Sequence, residues 1–186
     1  KFGIISDNDL SKDGYITVAE ALNTFSKFST RTPDESMLNA WYSISKLEPT
    51  DDTYDSAKIS SIILKKDLVL THNDILNLNF ADNLTNLQVL TWVMRLTQSF
   101  YGCTRYIKDT DTYSTDDIYT AVYYRGLINS TDTSNAQLPI SRADFYDLLN
   151  KVLFCSYVRG GYGGNYTTNL YKTLQKHIQN SQELIE

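Results

Sequence analysis

One short pattern occurs three times, and it constrains the fold more than any other feature of the chain. It reads ITVAEALNTFSKF at 16–28, LTNLQVLTWVMRL at 84–96 and ISRADFYDLLNKV at 140–152. Thr17, Thr85 and Ser141 are N-cap candidates, because a hydroxyl oxygen there can accept from the unpaired N–H groups of a first helical turn. Three residues later stand Glu20, Gln88 and Asp144. The first two complete a capping box and Asp144 is a weaker form of it. Ile16, Leu84 and Ile140 precede the caps, and Ala21, Val89 and Phe145 follow four residues after them. That is hydrophobic-staple spacing. Leu22, Leu90 and Tyr146, then Phe25, Val93 and Leu149, then Phe28, Leu96 and Val152 continue each copy as an apolar stripe at helical period. The coincidence of cap, box, staple and stripe predicts three helices of one design, most of whose marked residues serve only to start and pack them.

Each helix start is preceded by a short apolar tripeptide: Gly3-Ile4-Ile5, Asp67-Leu68-Val69 and Gly126-Leu127-Ile128. Leu127-Ile128 and Ile4-Ile5 read as short extended pieces. Ahead of the second and third tripeptides, 55–66 and 115–125 carry helical patterns, the latter opened by Thr115 or Asp116. Further helices are expected over 35–47, after Pro33-Asp34, and over 166–185. The chain therefore reads as mostly α, with short helices paired across loops of about ten to twenty residues, a length that tends to be functional.

This pattern resembles the S-layer homology family, whose repeat joins a helix, a Gly-Ile-Ile turn, a loop and an Ile-Thr-Arg-Ala-Glu helix start. The resemblance covers most of residues 1–155. It implies three helix-loop-helix repeats, about 1–48, 49–106 and 107–158, in a pseudo-threefold arrangement around a central helical bundle. A Gly-rich turn and C-terminal helix would complete one compact domain over 159–186. It further implies a non-catalytic module without cofactor, secreted to the wall or surface of a bacterium. There it would anchor an exported protein by binding a cell-wall polysaccharide, the secondary cell-wall polymer, often pyruvylated. The glycan-binding candidates carried over are Arg142, Ser141, Asp144, Thr17, Glu20, Thr85 and Gly126. An Arg in the first turn suits a ketal carboxylate, since its fork of donors acts together with the helix N-terminus. The chain departs from the pattern at three places: Val18 and Asn86 stand at the motif Arg positions, and Asp67 replaces the opening Gly. At most one groove then keeps the anion-binding chemistry. The alternative is a helical protein–protein interaction or surface-scaffold module, with other surface proteins as partners.

Composition narrows the remaining classes. The formal net charge is −5 and Lys and Arg are scattered, so there is no basic footprint for nucleic acid. No apolar run is long enough to span a membrane. Lys1 stands where an initiator Met would, as expected of a processed or excised chain. Tyr dominates the aromatics, with 14 Tyr against 7 Phe and 2 Trp. That suits a wet sugar-binding surface, or the cover of a small core. Cys103 and Cys155 form no CxxC, and His72 and His177 are far apart, so a zinc site lacks ligands. The two thiols are either free and buried or, in a secreted chain, paired.

The stretch DLSKDGYITVAE at 9–20 also fits an EF-hand loop, with Asp9, Ser11, Asp13 and Glu20 as calcium ligands and Gly14 at the sharp turn. Little chain precedes Asp9 to make an entering helix, and 109–120 offers no second loop, having Ser114 at the Gly position. Glu20 is better explained as a cap, and no metal is expected. RGGYGGN at 159–165 lacks the Lys-Ser/Thr of a phosphate loop and reads as a turn or linker. Neither His has a nucleophile pattern near it, so no catalysis is expected.

Overall fold

The computed structural model describes residues 13–47, 53–97, 113–161 and 164–183. The protein is mostly helical. Its described elements are α1 (Val18–Ser26), α2 (Glu35–Ser45), α3 (Asp55–Lys66), α4 (His72–Leu76), α5 (Asn86–Leu96), α6 (Thr115–Tyr124), α7 (Arg142–Phe154), β1 (Tyr157–Gly161), β2 (Gly164–Thr168) and α8 (Leu170–Glu183). The chain divides into two compact units, Lys1–Thr85 with Pro139–Arg142, and Asn86–Leu138 with Ala143–Glu186.

In the first unit α1 packs against α3, and α2 packs against α3 and α4. Thr17 caps α1 and forms the full capping box with Glu20. α1 buries Val18, Ala21, Leu22 and Phe25, and α3 buries Ala57, Ile62, Ile63 and Leu64. A polar seam fixes the register of the two helices. Asn23 Oδ1 accepts from Ser56 Oγ at 3.1 Å and Ser60 Oγ at 2.9 Å, and Ser60 Oγ lies 3.1 Å from Ser26 Oγ. Below them, Arg31 Nε donates to Asp67 at 2.7 Å beside the α3 C-terminus.

The α3 C-terminus corrects the alignment of the second copy. Leu68 N–H donates to Lys65 C=O at 3.1 Å and Val69 N–H to Leu64 C=O at 2.8 Å, a Schellman motif whose left-handed residue is Leu68 (φ 64°). α6 ends in the same way: Gly126 (φ 69°) donates to Tyr123 C=O at 2.8 Å and Leu127 to Val122 C=O at 3.2 Å. Leu68, not Asp67, is therefore the counterpart of Gly126. The apolar residues after both, Val69 and Leu127, are buried. Sequence alone pairs Asp67 with Gly126, because Leu is an unusual occupant of the left-handed position that Leu68 takes. The loop that follows also carries α4, opened by an unforeseen capping box between Thr71 and Asp74.

In the second unit α5 packs against α6. Ser114, rather than Thr115 or Asp116, caps α6, because Asp117 lies three residues on and returns a hydrogen bond to its N–H. Val89, Leu90 and Val93 of α5 and Ile118, Ala121 and Val122 of α6 are buried, as are Phe145, Leu149 and Val152 of α7. Leu96 and Tyr146 are only partly covered. Of the segment expected to be a Gly-rich turn, 159–161 and 164–165 lie in strands: β1 pairs antiparallel with β2, from Tyr157–Thr168 to Gly161–Gly164. Tyr and Thr flanking the glycines favour strand, a signal the glycines masked. α8 follows, close to the expected span, and buries Leu170 and Leu174. Among the described residues no helix is long and apolar enough to cross a membrane.

Candidate functional site

The turns before α1, α5 and α7 meet in a closed backbone ring within the first unit. Tyr15 bridges Ser141, Thr17 bridges Asn83, and Thr85 bridges Pro139. Ile16 N–H donates to Ile140 C=O at 3.4 Å, Ile140 to Leu84 at 2.9 Å, and Leu84 back to Ile16 at 2.8 Å. The three residues expected to be staples are thus the three members of this ring, and none is more than 4% exposed.

Outside the ring, carbonyls of neighbouring turns fill the first N–H groups of the helices. Val18 donates to Asp82 C=O at 2.8 Å, Ala19 to Phe80 C=O at 3.1 Å, and Arg142 to Gly14 C=O at 3.0 Å. Gly14 has φ 83°, the left-handed conformation that turns its carbonyl into this bond. The second unit repeats the pattern, with Asn86 donating to Leu138 C=O at 3.0 Å and Leu87 to Ala136 C=O at 2.9 Å. Glu20 N–H, third in α1, donates to Thr17 Oγ1 at 3.2 Å. An anion approaching the start of α1 would find its first three donors in use, although such donors are what make helix N-termini attract anions.

Glu20 and Arg142, separated by 122 residues, are brought together. Glu20 Oε2 accepts from Thr17 N–H at 2.9 Å and Thr17 Oγ1 at 3.0 Å, while Oε1 is paired with Arg142 Nη2. Burial pushes the Glu20 carboxyl up, but hydrogen bonds from Arg142 and Thr17 and the guanidinium charge outweigh it, so its pKa is lowered. The one motif Arg therefore faces a carboxylate of its own chain. Both oxygens of Glu20 are engaged as well, so bidentate calcium binding would require breaking the cap and the ion pair together. Asp13 is exposed, and Asp9 and Ser11 lie outside the described residues. Among the described residues no group of three metal-ligating side chains occurs.

The other candidates are dispersed in role. Thr85 and Ser141 are half-buried ring residues, Asp144 is exposed on α7, and Gly126 is the left-handed cap of α6. Cys155 is a free thiol whose pKa is raised by burial, and Cys103 lies outside the described residues, as does the tripeptide at 3–5.

A second site was not anticipated. A groove of about 450 Å³ opens between α2, α3, α4 and the turn after α4, lined by Trp41, Tyr42, Tyr54, Lys58, Leu76 and Phe80 among others. Tyr54 stacks on Phe80 with centroids 5.4 Å apart, and Trp41 lies 5.8 Å from the same ring. Lys58 is only 6% exposed. Its Nζ donates to Tyr42 Oη and Asp55 Oδ1, both at 2.9 Å, and sits 5.5 Å and 5.0 Å from the Trp41 and Tyr42 ring centroids. Burial pulls the ammonium pKa down, but its bonds to Tyr42 and Asp55 and their charge outweigh this and raise it. Trp41 is 4% exposed, and its Nε1 is buried with no hydrogen-bond partner among the described residues. The only sequence signal for this groove is the abundance of Tyr; its lining comes from three separate segments, 41–47, 54–58 and 75–80.

Comparison with family models, with curated proteins and with solved structures finds no match.

Proposed function

We propose that the chain is a non-catalytic module of the S-layer homology type that holds a cell-wall polysaccharide and so anchors an exported protein at a bacterial surface. The aromatic groove of the first unit carries the reading. Its size falls in the range of small-ligand sites, and flat rings with a few polar tips suit the mixed apolar and hydroxylated faces of a sugar. The ring of three turns supports a pseudo-threefold relation among the copies, each supplying one member. Arg142 serves that ring through Glu20, and the groove takes over as the binding surface.

The test is retention on purified wall polymer by the native chain and by the Tyr54→Ala and Arg142→Ala variants. Loss of a stacking face at the half-buried Tyr54 should weaken retention about tenfold, or about 1.4 kcal/mol. Arg142→Ala should retain binding wherever it remains folded. Absence of retention by the native chain on every wall polymer tried would remove the glycan reading. A protein–protein role has one observation in its favour: Tyr124 and Phe154 are 77% and 54% exposed in the second unit.

A further inference from the structure

We infer that strand β2 pairs edge to edge with β2 of a second copy of this chain, so that two hairpins form one antiparallel sheet about a two-fold axis. The contact is independent of the glycan reading. The hairpin is the only sheet among the described residues, and it consists of β1 and β2 alone. A two-stranded sheet is marginal in water unless a third strand or a helix supports it. Among the described residues neither support is supplied: no further strand joins the hairpin, and neither β1 nor β2 packs along a helix. The outer edge of such a pair presents main-chain N–H and C=O groups that have no ladder partner, a ready template for another strand. The usual protections of an edge are a lysine, a proline or another charge. None occurs in β2, which reads Gly164-Asn165-Tyr166-Thr167-Thr168.

The register selects the edge and the partner. β2 has 5 residues, so an antiparallel two-fold pairing centres on position 166. Tyr166 then stands opposite its own copy, Asn165 opposite Thr167, and Gly164 opposite Thr168. Every pair is uncharged, and the central one is aromatic with aromatic, which stabilises a sheet. The same pairing of β1, Tyr157–Gly161, centres on Arg159 and sets two like charges directly opposite, which is destabilising. The carbonyl just before β1 is also taken, since Ser156 C=O accepts from Arg125 Nη1 at 2.7 Å. A second copy fits the β2 edge better than an unfolded peptide does. Its strand is already extended against its own β1, so less ordering remains to be met on association. An isologous contact of this kind also closes at two copies.

The test is sedimentation velocity of the full chain from about 1 to 200 µM, with amide hydrogen exchange at both ends of that range. A monomer–dimer equilibrium with a Kd of about 10–100 µM is expected, since one strand edge makes a contact at the small end of the interface range. Amides within 164–168 should exchange more slowly at the high concentration. Tyr166→Glu sets a carboxylate opposite Arg159 within the hairpin and opposite its own copy across the two-fold axis. It should keep the melting temperature and weaken dimerisation about tenfold. A chain that stays monomeric throughout the range overturns the inference. So does a dimer whose slowed amides all lie outside 164–168, or one that a folded Tyr166→Glu variant forms at native strength. The sedimentation and exchange of the native chain decide the matter even where that variant does not fold.

Discussion

Replacing Glu20 separates its two structural jobs. Gln at this position keeps a carbonyl oxygen that can accept from Thr17 N–H, so Glu20→Gln removes the ion pair and spares much of the cap. Glu20→Ala removes the ion pair and the returning half of the capping box, and keeps the bond from the residue-20 N–H to Thr17. The pair is neither a surface nor a core interaction: the Arg142 and Glu20 side chains are 19% and 40% exposed. Exposed pairs contribute at most about 1 kcal/mol, and solvent screening at Glu20 keeps this one near that figure. Loss of the two bonds that Glu20 Oε2 accepts from Thr17 costs about 1 kcal/mol more, while Thr17 Oγ1 still accepts from the N–H of residue 20. Glu20→Gln should therefore cost about 1 kcal/mol and Glu20→Ala about 2 kcal/mol. In a chain of 186 residues the latter is a fall of roughly 4–8 °C in melting temperature. Urea unfolding of the native chain, Glu20→Gln, Arg142→Met and the double variant measures the coupling directly. A coupling of about 0.5–1 kcal/mol is expected. Additive single variants, with no coupling beyond about 0.3 kcal/mol, would show that the contact contributes nothing and that Arg142 is free for other work.

The same carboxylate gives a pH dependence. Its folded pKa is lowered from 4.5, so its contribution is present above that value and disappears as pH falls through the folded pKa. Asp34, Asp117 and Asp132, lowered by bonds from Ser36, Ser114 and Ser134, act in the same direction from 3.8. Urea midpoints should drop on acidification below about pH 5, and less steeply in Glu20→Gln than in the native chain. Gly126→Ala should cost about 1 kcal/mol from left-handed strain alone, since an added Cβ meets nothing within 4 Å. Leu68→Gly relieves that strain at a half-exposed residue and should gain about 0.5 kcal/mol after the entropy cost of glycine, so opposite signs in thermal melts are the check. Phe25→Ala, at a fully buried position, should cost about 3–5 kcal/mol by denaturant unfolding.

What could be read in the sequence was what is local. The span 55–66 is α3 to the residue, and Thr17 with Glu20 makes the expected capping box, because both depend on residues within one or two turns. Ambiguous local signals do not fix a boundary. Ser114, Thr115 and Asp116 are all competent caps, and only the bond from Ser114 N–H to Asp117 decides among them. Leu68 hid a left-handed position that glycine marks in the other copy. The site was less legible. Arg142 looked like an anion receptor because nothing in its neighbourhood along the chain reveals Glu20. Trp41, Tyr54, Lys58 and Phe80 converge only through the packing of α2 and α4 against their neighbours, a tertiary fact without local trace.

The ring of Ile16, Leu84 and Ile140 bears on how such a chain can age. It is made from main-chain N–H and C=O groups, which every residue but proline carries in full. Substitution at the flanking positions leaves those groups in place, so the circle asks nothing of the side chains at Val18 and Asn86. A junction built this way tolerates change in every side chain around it, because none of its hydrogen bonds is made by one.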